Sequence, residues 1–268
     1  MLAGAAARTV AQPLSGRLLL ATVADRGNRA IVDVSADDLV IEEGGQNREV
    51  LDVRSADYPV AVLVGHGPDS IEAHAAVKHA VRGFIERLGQ RPLAIGSLAD
   101  SDRFPASFQA DRATVLASLD GMTPVNTRAR PLRAIAHAVR ALRETATPFA
   151  AVVIVATRPA DEAADDGELL AAILDSGVAV SAIVSRAGGA IEAAQNNQDV
   201  LRLLADQTRG HYTAVFATAS YGSALERLAD RFAAELIIEY LVPAGSQPGE
   251  VRAGVRIPGA RITGLRTR

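Results

Sequence analysis

The sequence predicts an α/β protein whose larger part is a doubly wound, mostly parallel sheet with helices on both faces. Between residues 58 and 236, short apolar runs alternate with segments of helical period, and this order requires parallel strands joined by crossover helices. Both chain ends instead carry strand-like patterns separated by turns. Because each end is too small to bury a core alone, we expect the two ends to pair in one small β-subdomain.

The first β segment occupies residues 15–57, after a predicted flexible N-terminal segment at 1–14. RLLLATVA (17–24) and DLVIEE (38–43) both read as strands. The pair Gly44-Gly45 opens a tight turn, after which REVLDV (48–53) returns along the second strand. This pattern predicts a β-hairpin.

The central zone, residues 58–236, carries the strand–helix alternation. PVAVLV (59–64) is apolar on both faces, as a central parallel strand should be. The other strands are predicted at 92–99, 149–157, 178–185 and 211–216, and the helices at 70–88, 111–119, 131–144, 166–175, 198–208 and 221–236.

Local signals place the ends of some of these elements. Asp111 is predicted to cap the N-terminus of its helix, and Gly210 to stop the helix before it. RFPASFQ (103–109) contains Pro105 and is therefore predicted to be a short strand at a sheet edge. The closing helix is expected to bury a line of apolar residues that ends with Leu236.

The last zone, residues 237–268, returns to strands at 237–243, 251–258 and 260–267. Its arginines are expected on an outer strand face, where they either protect an edge or contact an anionic partner. They are Arg252, Arg256, Arg261, Arg266 and Arg268.

Composition excludes several classes of function. The chain has 268 residues and a formal net charge of −3, so it carries no general attraction for nucleic acid or anionic lipid. It has no cysteine, which excludes disulfides, thiolate chemistry and cysteine-based zinc sites. The longest apolar run, 149–156, is too short to cross a bilayer. The first twelve residues lack the pattern of a signal peptide.

Familiar hydrolytic motifs are missing from the sequence. It contains neither G-x-S-x-G nor H-E-x-x-H, and no pair of carboxylates stands out in a cleft-like place. Three of its five histidines, His74, His79 and His137, fall on polar faces of predicted helices, where solvent exposure is the default.

The turn GHGPDS (65–70) lies between a strand and a helix, and three interpretations of it stay open. Asp69 and Glu72 fit a capping box. His66, Asp69 and His74 could converge on a transition metal. The segment also resembles a dinucleotide-binding loop. Against that third interpretation, Ser70 replaces the last glycine of that motif and Pro68 removes an N–H from the phosphate cradle.

The order of elements resembles that of a von Willebrand factor type A domain. Four stretches carry the likeness: PVAVLVGHGPDS, FQADRATVLASLDGM, RPLRAIAHAVRAL and LLADQTRGHYTAV. The flanks, TVADRGNRAIVDVSADDLVIEEGGQNREVLDVRSADYPV and FAAELIIEYLVPAGSQPGEVRAGVRIPGARITGLRTR, are similar to a bacterial subgroup often labelled "VWFA-related". The resemblance covers roughly residues 17–268 and implies a Rossmann-like domain at 58–236, with 15–57 and 237–268 forming the β-subdomain.

The resemblance also implies a metal-ion-dependent adhesion site, from which this sequence departs. Gly65 and Gly67 stand at the positions of the first Asp and Ser of the family's Asp-x-Ser-x-Ser turn, and Asp69 stands at the second Ser. The family's Thr falls near Thr127 or on Ala129, and its last Asp on Arg158. Glycines offer no side-chain ligand and a guanidinium repels a divalent ion, so we expect neither this metal nor any other cofactor.

These residues together predict a non-enzymatic module that binds a protein or peptide through loops at the C-terminal edge of the sheet. The resemblance implies an exported protein, and the oligomeric state stays open. The alternatives are a nucleotide-binding or enzymatic domain that uses the 65–70 turn, and a purely structural domain of an envelope assembly. The candidate binding residues are His66, Asp69, Ser70, Asp100, Asp102, Thr127 and Arg158.

Overall fold

A computed structural model describes residues 13–65, 71–99, 104, 107–123, 131–157, 167–186 and 200–267 of the chain, with only the backbone of 71 and 72. Contacts divide the chain into two compact units. One, the β unit, combines residues 1–56 with 234–268, and the other, the α/β unit, spans 57–233.

The described strands are β1 (Leu14–Ala24), β2 (Leu39–Glu43), β3 (Gln46–Arg48), β4 (Val50–Ser55), β5 (Val60–Val64), β6 (Leu93–Ser97), β7 (Ala151–Ala156), β8 (Ala179–Ser185), β9 (Tyr212–Val215), β10 (Glu235–Pro243), β11 (Val251–Val255) and β12 (Arg261–Thr267). The described helices are α1 (Ile71–Arg87), α2 (Arg112–Gly121), α3 (Pro131–Glu144), α4 (Gly167–Asp175), α5 (Val200–Gln207) and α6 (Ser220–Ala233). A single 3₁₀ turn, Ala36–Asp38, precedes β2.

The α/β unit is built on a five-stranded parallel sheet in the order β6-β5-β7-β8-β9. All six residues of β7 are buried, as expected for a central strand covered on both faces. On one face the sheet packs against α3, α4 and α5 through residues such as Ile135, Ile173 and Leu201. On the other face lie α1, α2 and α6, and the rings of Phe84 and Phe232 meet edge to face there. The predicted doubly wound fold is confirmed.

The β unit consists of two antiparallel sheets, ordered β12-β1-β10-β4 and β11-β2-β3. The first strand of the chain, β1, pairs with β10 and β12, so the two chain ends share one sheet. Apolar residues of both sheets form one core, which includes Leu19, Ile41 and Ile238. Buried Glu43 forms an ion pair with Arg17 and accepts a hydrogen bond from the Gly249 N–H (2.9 Å).

The predicted hairpin is correct only in its first part. After the Gly44-Gly45 turn, β3 pairs with β2 for three residues, Gln46–Arg48. From Val50 the chain leaves this sheet, and β4 pairs with β10 in the other sheet. REVLDV therefore contributes to two sheets, because the better partner for its second half lies at the far end of the chain.

The edge strand predicted at 103–109 is wrong for the residues that the structure describes. Phe104 and Ser107 are irregular, and Phe108 and Gln109 form a turn. The Phe104 ring packs on the sheet over Gly96, where a Cβ would approach it to 3.1 Å, and it stacks on His137 at 5.2 Å. Burial of an aromatic ring against the sheet thus replaces strand pairing.

Helix ends follow the sequence signals with two corrections. Asp111 caps α2 as predicted, and its carboxylate accepts a hydrogen bond from the Thr114 N–H (2.7 Å). After α5 the left-handed residue is Arg209 (φ 58°), not Gly210. The Gly210 N–H donates to the Ala205 carbonyl (2.9 Å), so the glycine is the second residue after the C-cap Thr208, as in a Schellman motif. Leu236 lies in β10 and not in the closing helix.

The described arginines of the last zone make contacts within the chain. Arg266 forms an ion pair with Glu235 at 3.2 Å, and Arg252 one with Glu250 at 3.2 Å. Arg261 donates to the Asn28 side chain (2.7 Å), and Arg256 donates to the carbonyl oxygen of Asp37 (2.8 Å). These contacts join strands and turns of the β unit, which is a structural role that the sequence pattern did not indicate.

Candidate functional site

The candidate site lies where the five parallel strands end. Because β5 to β9 run in the same direction, the residues that follow them lie along one edge of the sheet. We call this edge the rim; its described residues are Gly65, Leu98, Ala99, Thr157, Arg186 and Phe216. The chain passes from β5 to β6 on one side and then to β7 on the other, so the topological switch point lies between Gly65 and Thr157. Open α/β sheets bind their ligands at this point.

The candidate residues predicted from the sequence, His66, Asp69, Ser70, Asp100, Asp102, Thr127 and Arg158, all lie outside the described residues. The structure does place the positions from which their segments start. Gly65 precedes His66, Ala99 precedes Asp100, and Thr157 precedes Arg158. Three of the predicted segments therefore leave the sheet from the same edge.

Gly65 is packed closely at the switch point. Its N–H donates to the Val155 carbonyl at 2.7 Å, which extends the pairing of β5 with β7 beyond the last strand residue. A Cβ at this position would lie 3.1 Å from the Ala156 Cα, 3.1 Å from the Leu98 Cδ1 and 3.2 Å from the Val155 oxygen. These distances are shorter than ordinary van der Waals contacts, so a side chain here would displace its neighbours.

The end of β7 is held by a buried tyrosine. Tyr221, in the first turn of α6, is 2% exposed and donates a hydrogen bond from its hydroxyl to the Ala156 carbonyl (2.7 Å). This bond brings a side-chain donor to the last residue of β7, which pairs with Val184 of β8. It also fixes the backbone two residues before Arg158.

A pair of side chains on α1 holds the start of the segment that contains Thr127. Nε2 of His74 donates to the Met122 carbonyl (3.0 Å), and Nζ of Lys78 donates to the carbonyls of Met122 (3.1 Å) and Asp120 (2.6 Å). Asp120 lies in the last turn of α2 and Met122 is its C-cap, and carbonyls at a helix C-terminus have no donor partner within the helix. The expectation that His74 faces only solvent is therefore wrong, and its Nε2 is already engaged.

One turn further along α1, Arg82 pairs with the side chain of Asp120. Its Nη2 lies 2.6 and 2.7 Å from the two carboxylate oxygens. This hydrogen bond lowers the pKa of Asp120 below its ordinary value. The pair adds a third contact between α1 and the end of α2, although both side chains are partly solvated and the gain is small.

Two rim residues were missed by the sequence analysis, Arg186 and Phe216. The Arg186 N–H donates to the Val215 carbonyl (2.7 Å), and its guanidinium donates to the Tyr212 hydroxyl (2.7 Å). Phe216, directly after β9, is 75% exposed. The segment HYTAVF could have indicated this, because residues four apart on a strand lie on the same face of the sheet. Tyr212 begins β9, and Phe216 directly follows its end.

Within the described ranges, no group of three or more histidine, aspartate or glutamate side chains is arranged to hold a metal ion. In the same part of the chain, no helix combines the length and the apolar character that a membrane span needs.

Comparison with known proteins identifies the fold. No protein-family profile matches the sequence, and no curated protein matches it. A solved von Willebrand factor type A protein from Catenulispora acidiphila superposes with a TM-score of 0.55 and 10% identity, over 98% of this chain and 74% of that one. The fold is that of a von Willebrand factor type A domain. Because the superposition covers 98% of this chain, it includes strands from both chain ends.

A second von Willebrand factor type A likeness comes from a mussel. Proximal thread matrix protein 1 of the byssus, solved with a zinc-occupied MIDAS motif, superposes with a TM-score of 0.51 and 12% identity. The match covers 70% of this chain and 48% of the mussel chain. Identities this low support the fold of this chain and nothing finer.

Proposed function

We propose that this von Willebrand factor type A domain is a non-enzymatic module that binds a protein or peptide through the rim and does so without a metal ion. The carrying observation is the packing of Gly65. Where the resemblance places the first metal-binding aspartate, a glycine stands at the switch point, and a Cβ there would lie 3.1 Å from two neighbouring carbons. Glycine supplies no carboxylate to a metal, and the tight packing around it disfavours a side chain at this position, which supports recognition without a metal.

Recognition without a metal needs another group to bind a partner's carboxylate, and Arg158 is the candidate. It stands at the last aspartate position of the family's site and directly follows Thr157 at the switch point. A guanidinium can bind a carboxylate through two parallel hydrogen bonds. The remaining predicted contacts are His66, Asp69 and Ser70, which follow Gly65 in the sequence, Asp100 and Asp102, which follow Ala99, and Thr127, which lies between α2 and α3 in the sequence.

The rival functions have weaker support. A histidine metal site would require His74, whose Nε2 already donates to the Met122 carbonyl. A nucleotide site would require the phosphate cradle that Pro68 interrupts. Thermal shift with NAD, ATP, Mg²⁺, Mn²⁺ and Zn²⁺ tests both rivals, because a ligand that binds the native state raises the melting temperature. We expect no rise with any of them.

The decisive experiment separates metal-free recognition from the family's metal-dependent mode. The full chain is immobilised, its bound partner is captured from its own cells, and the capture is repeated with EDTA. We expect EDTA to leave capture unchanged. Arg158→Ala should lower capture by about tenfold or more, because the variant removes one partner of a charged contact with the bound protein. Arg140→Ala, an exposed arginine on α3, is the matched control.

Calorimetry provides the outcome that would overturn the proposal. Titration with millimolar Mg²⁺ or Mn²⁺ should produce no saturable heat. Saturable uptake that disappears in a Thr127→Ala variant would mean that a metal site is present after all.

The resemblance also leads us to propose that the protein is exported. Fractionation of the native cells, with an antibody against this chain, tests the proposal directly. A signal confined to the cytoplasmic fraction would contradict it.

A further inference from the structure

One edge of the α/β sheet is left open by the described strands. β9 pairs with β8 on one side, and no strand of the described ranges pairs with its other side. The His211 carbonyl accepts from the Ala182 N–H (2.7 Å), and the Val215 carbonyl accepts from the Arg186 N–H (2.7 Å). Since backbone groups alternate along a strand, those of Tyr212 and Ala214 face the open side.

A cationic surface lies beside this open edge. The Arg202 guanidinium lies 4.8 Å from the centre of the Tyr212 ring, and the Arg186 guanidinium lies 5.9 Å from it. Arg202 is exposed on α5 and forms no ion pair with any described residue. Asp206, one turn further along α5, is also exposed. Two guanidinium groups near one ring favour an anionic partner.

An apolar anchor lies at the C-terminal end of the same strand. Phe216 is 75% exposed, more than any other large apolar residue with marked exposure in the described chain. Leu203 on α5, next to Arg202, is 43% exposed. Proteins usually protect an open edge with charge, proline or a covering segment, whereas an exposed aromatic at such an edge marks a contact surface.

We propose that this surface, Arg202, Tyr212, Ala214 and Phe216, binds an extended acidic peptide segment of a protein partner as an added strand. The peptide backbone forms hydrogen bonds with the backbone N–H and C=O groups of Tyr212 and Ala214. A carboxylate of the peptide pairs with Arg202, and an apolar side chain packs on Phe216. A nucleic acid or a lipid surface would satisfy the arginines but not the row of N–H and C=O groups. The site shares Phe216 with the rim but does not use the segments after Gly65, Ala99 and Thr157, which carry the proposed function.

The test uses a defined probe, a fluorescein-labelled peptide TVEVEVT, with TVKVKVT as its charge-reversed control. Fluorescence anisotropy with the full chain should show saturable binding of the acidic peptide and at least about tenfold weaker binding of the basic one. Arg202→Glu should weaken binding of the acidic peptide by at least about tenfold. Arg140→Glu, which makes the same charge change on α3, should leave affinity within about twofold.

The backbone contribution is tested separately. Ala214→Pro removes an N–H that does not take part in the β8 ladder, so it should abolish peptide binding while leaving the fold intact. If that variant does not fold, hydrogen exchange of the wild-type protein replaces it, and the Ala214 amide should become protected when the acidic peptide is added. Arg158→Ala should keep peptide binding, which separates this site from the segment that follows Thr157.

Three results would overturn the inference. They are no saturable binding of the acidic peptide at millimolar concentration, equal binding of the acidic and basic peptides, and unchanged affinity in Arg202→Glu. A dimer of this chain that peptide cannot displace and that Phe216→Ala dissociates would also overturn it, because a second copy would then occupy the edge.

Discussion

At two positions, Gly65 and Gly210, the backbone of a neighbouring strand approaches so closely that a side chain would be crowded. Gly65 and Gly210 both have backbone neighbours where a Cβ would lie. Gly210 is the tighter, since its Cβ would lie 1.9 Å from the Val180 oxygen and 2.5 Å from the Val180 carbon. Its φ is not in the left-handed region that Arg209 adopts, so close approach to β8, and not turn geometry, requires the glycine.

Gly210→Ala should therefore destabilise the protein by at least about 2 kcal/mol, because the backbone after α5 must move away from β8. Gly83→Ala is the control, since Gly83 lies inside α1 with nothing within 4 Å of its would-be Cβ. That change should stabilise by about 0.5–1 kcal/mol. Urea unfolding of both variants measures the difference, and equal stability of the two would contradict the argument.

Tyr240 has a large shift in pKa. Its burial, and then the negative charge of Glu43 beside it, raise the pKa of Tyr240 to about 12 from an ordinary 10.0. The folded protein keeps the hydroxyl proton at pH values where the unfolded chain releases it. The stability linked to Tyr240 is thus complete below pH 10 and is lost as pH rises towards 12.

Tyr240→Phe should remove this alkaline loss. Between about pH 10 and 12, the wild type should lose up to about 1.4 kcal/mol per pH unit more than the variant. At neutral pH the two should agree within about 1 kcal/mol, because only a hydroxyl is removed. Denaturant unfolding at a series of alkaline pH values checks the prediction, and parallel curves for the two proteins would contradict it.

Secondary-structure elements depend on local signals at their ends, and α2 is the clearest case. The Asp111 carboxylate accepts a hydrogen bond from the Thr114 N–H, and this bond lowers the pKa of Asp111 below its ordinary 3.8. At the other end, Lys78 and His74 bind the carbonyls of Asp120 and Met122. Both ends of the helix are therefore satisfied by side chains, one local and the others from α1.

Asp111→Ala should lower the melting temperature by about 2–4 °C at neutral pH, because the first turn loses its cap. Asp111→Asn should keep most of the stability, since asparagine is also a good cap. With a depressed folded pKa, the contribution of Asp111 is present above pH 3.8 and is lost as pH falls below it. Melting curves from neutral to acid pH should show this loss in the wild type but not in Asp111→Asn.

At the scale of the whole molecule, only one of the two compact units is a continuous stretch of chain. The α/β unit is continuous, from 57 to 233, whereas the β unit needs both chain ends. β1 has its two partners, β10 and β12, at the opposite end of the sequence. The α/β unit contains its own sheet, helices and core, so it has what a domain needs in order to fold alone.

A fragment of residues 57–233 should therefore fold and melt cooperatively, while a fragment of residues 1–56 should stay unfolded. Circular dichroism and thermal melts of the two fragments provide the measurement. Cooperative melting of the 1–56 fragment would contradict the prediction, and so would an unfolded 57–233 fragment.

Sequence reasoning was most accurate where the deciding contacts are local. β7 was recognised because an uninterrupted apolar run can only be buried on both faces, and the Asp111 cap because its partner lies three residues away. It failed where the partner is distant. Nothing within REVLDV indicates that Val50–Ser55 would leave the hairpin for β10. Nothing near Phe104 indicates that its ring would lie over Gly96.

The same distinction holds for the candidate sites. The strand–turn–helix pattern predicts a site where the parallel strands end, and the glycine at position 65 predicts that the family's metal ligand is missing. That Arg186 and Arg202 approach one tyrosine ring beside an open strand depends on sheet order and on the packing of α5. No periodicity encodes these features.

The sequence alone determined the order of strands and helices, the likeness to the von Willebrand factor type A fold and the glycine at position 65, at the end of a strand. These features follow from burial patterns and residue chemistry within a few positions of one another. Only the tertiary structure decided which strands share a sheet, that β9 is an edge among the described strands, and that a Cβ would be tightly packed at Gly65 and would overlap β8 at Gly210. Strand partners are separated by up to the whole chain, so register and close approach are set by the joint packing of all the elements.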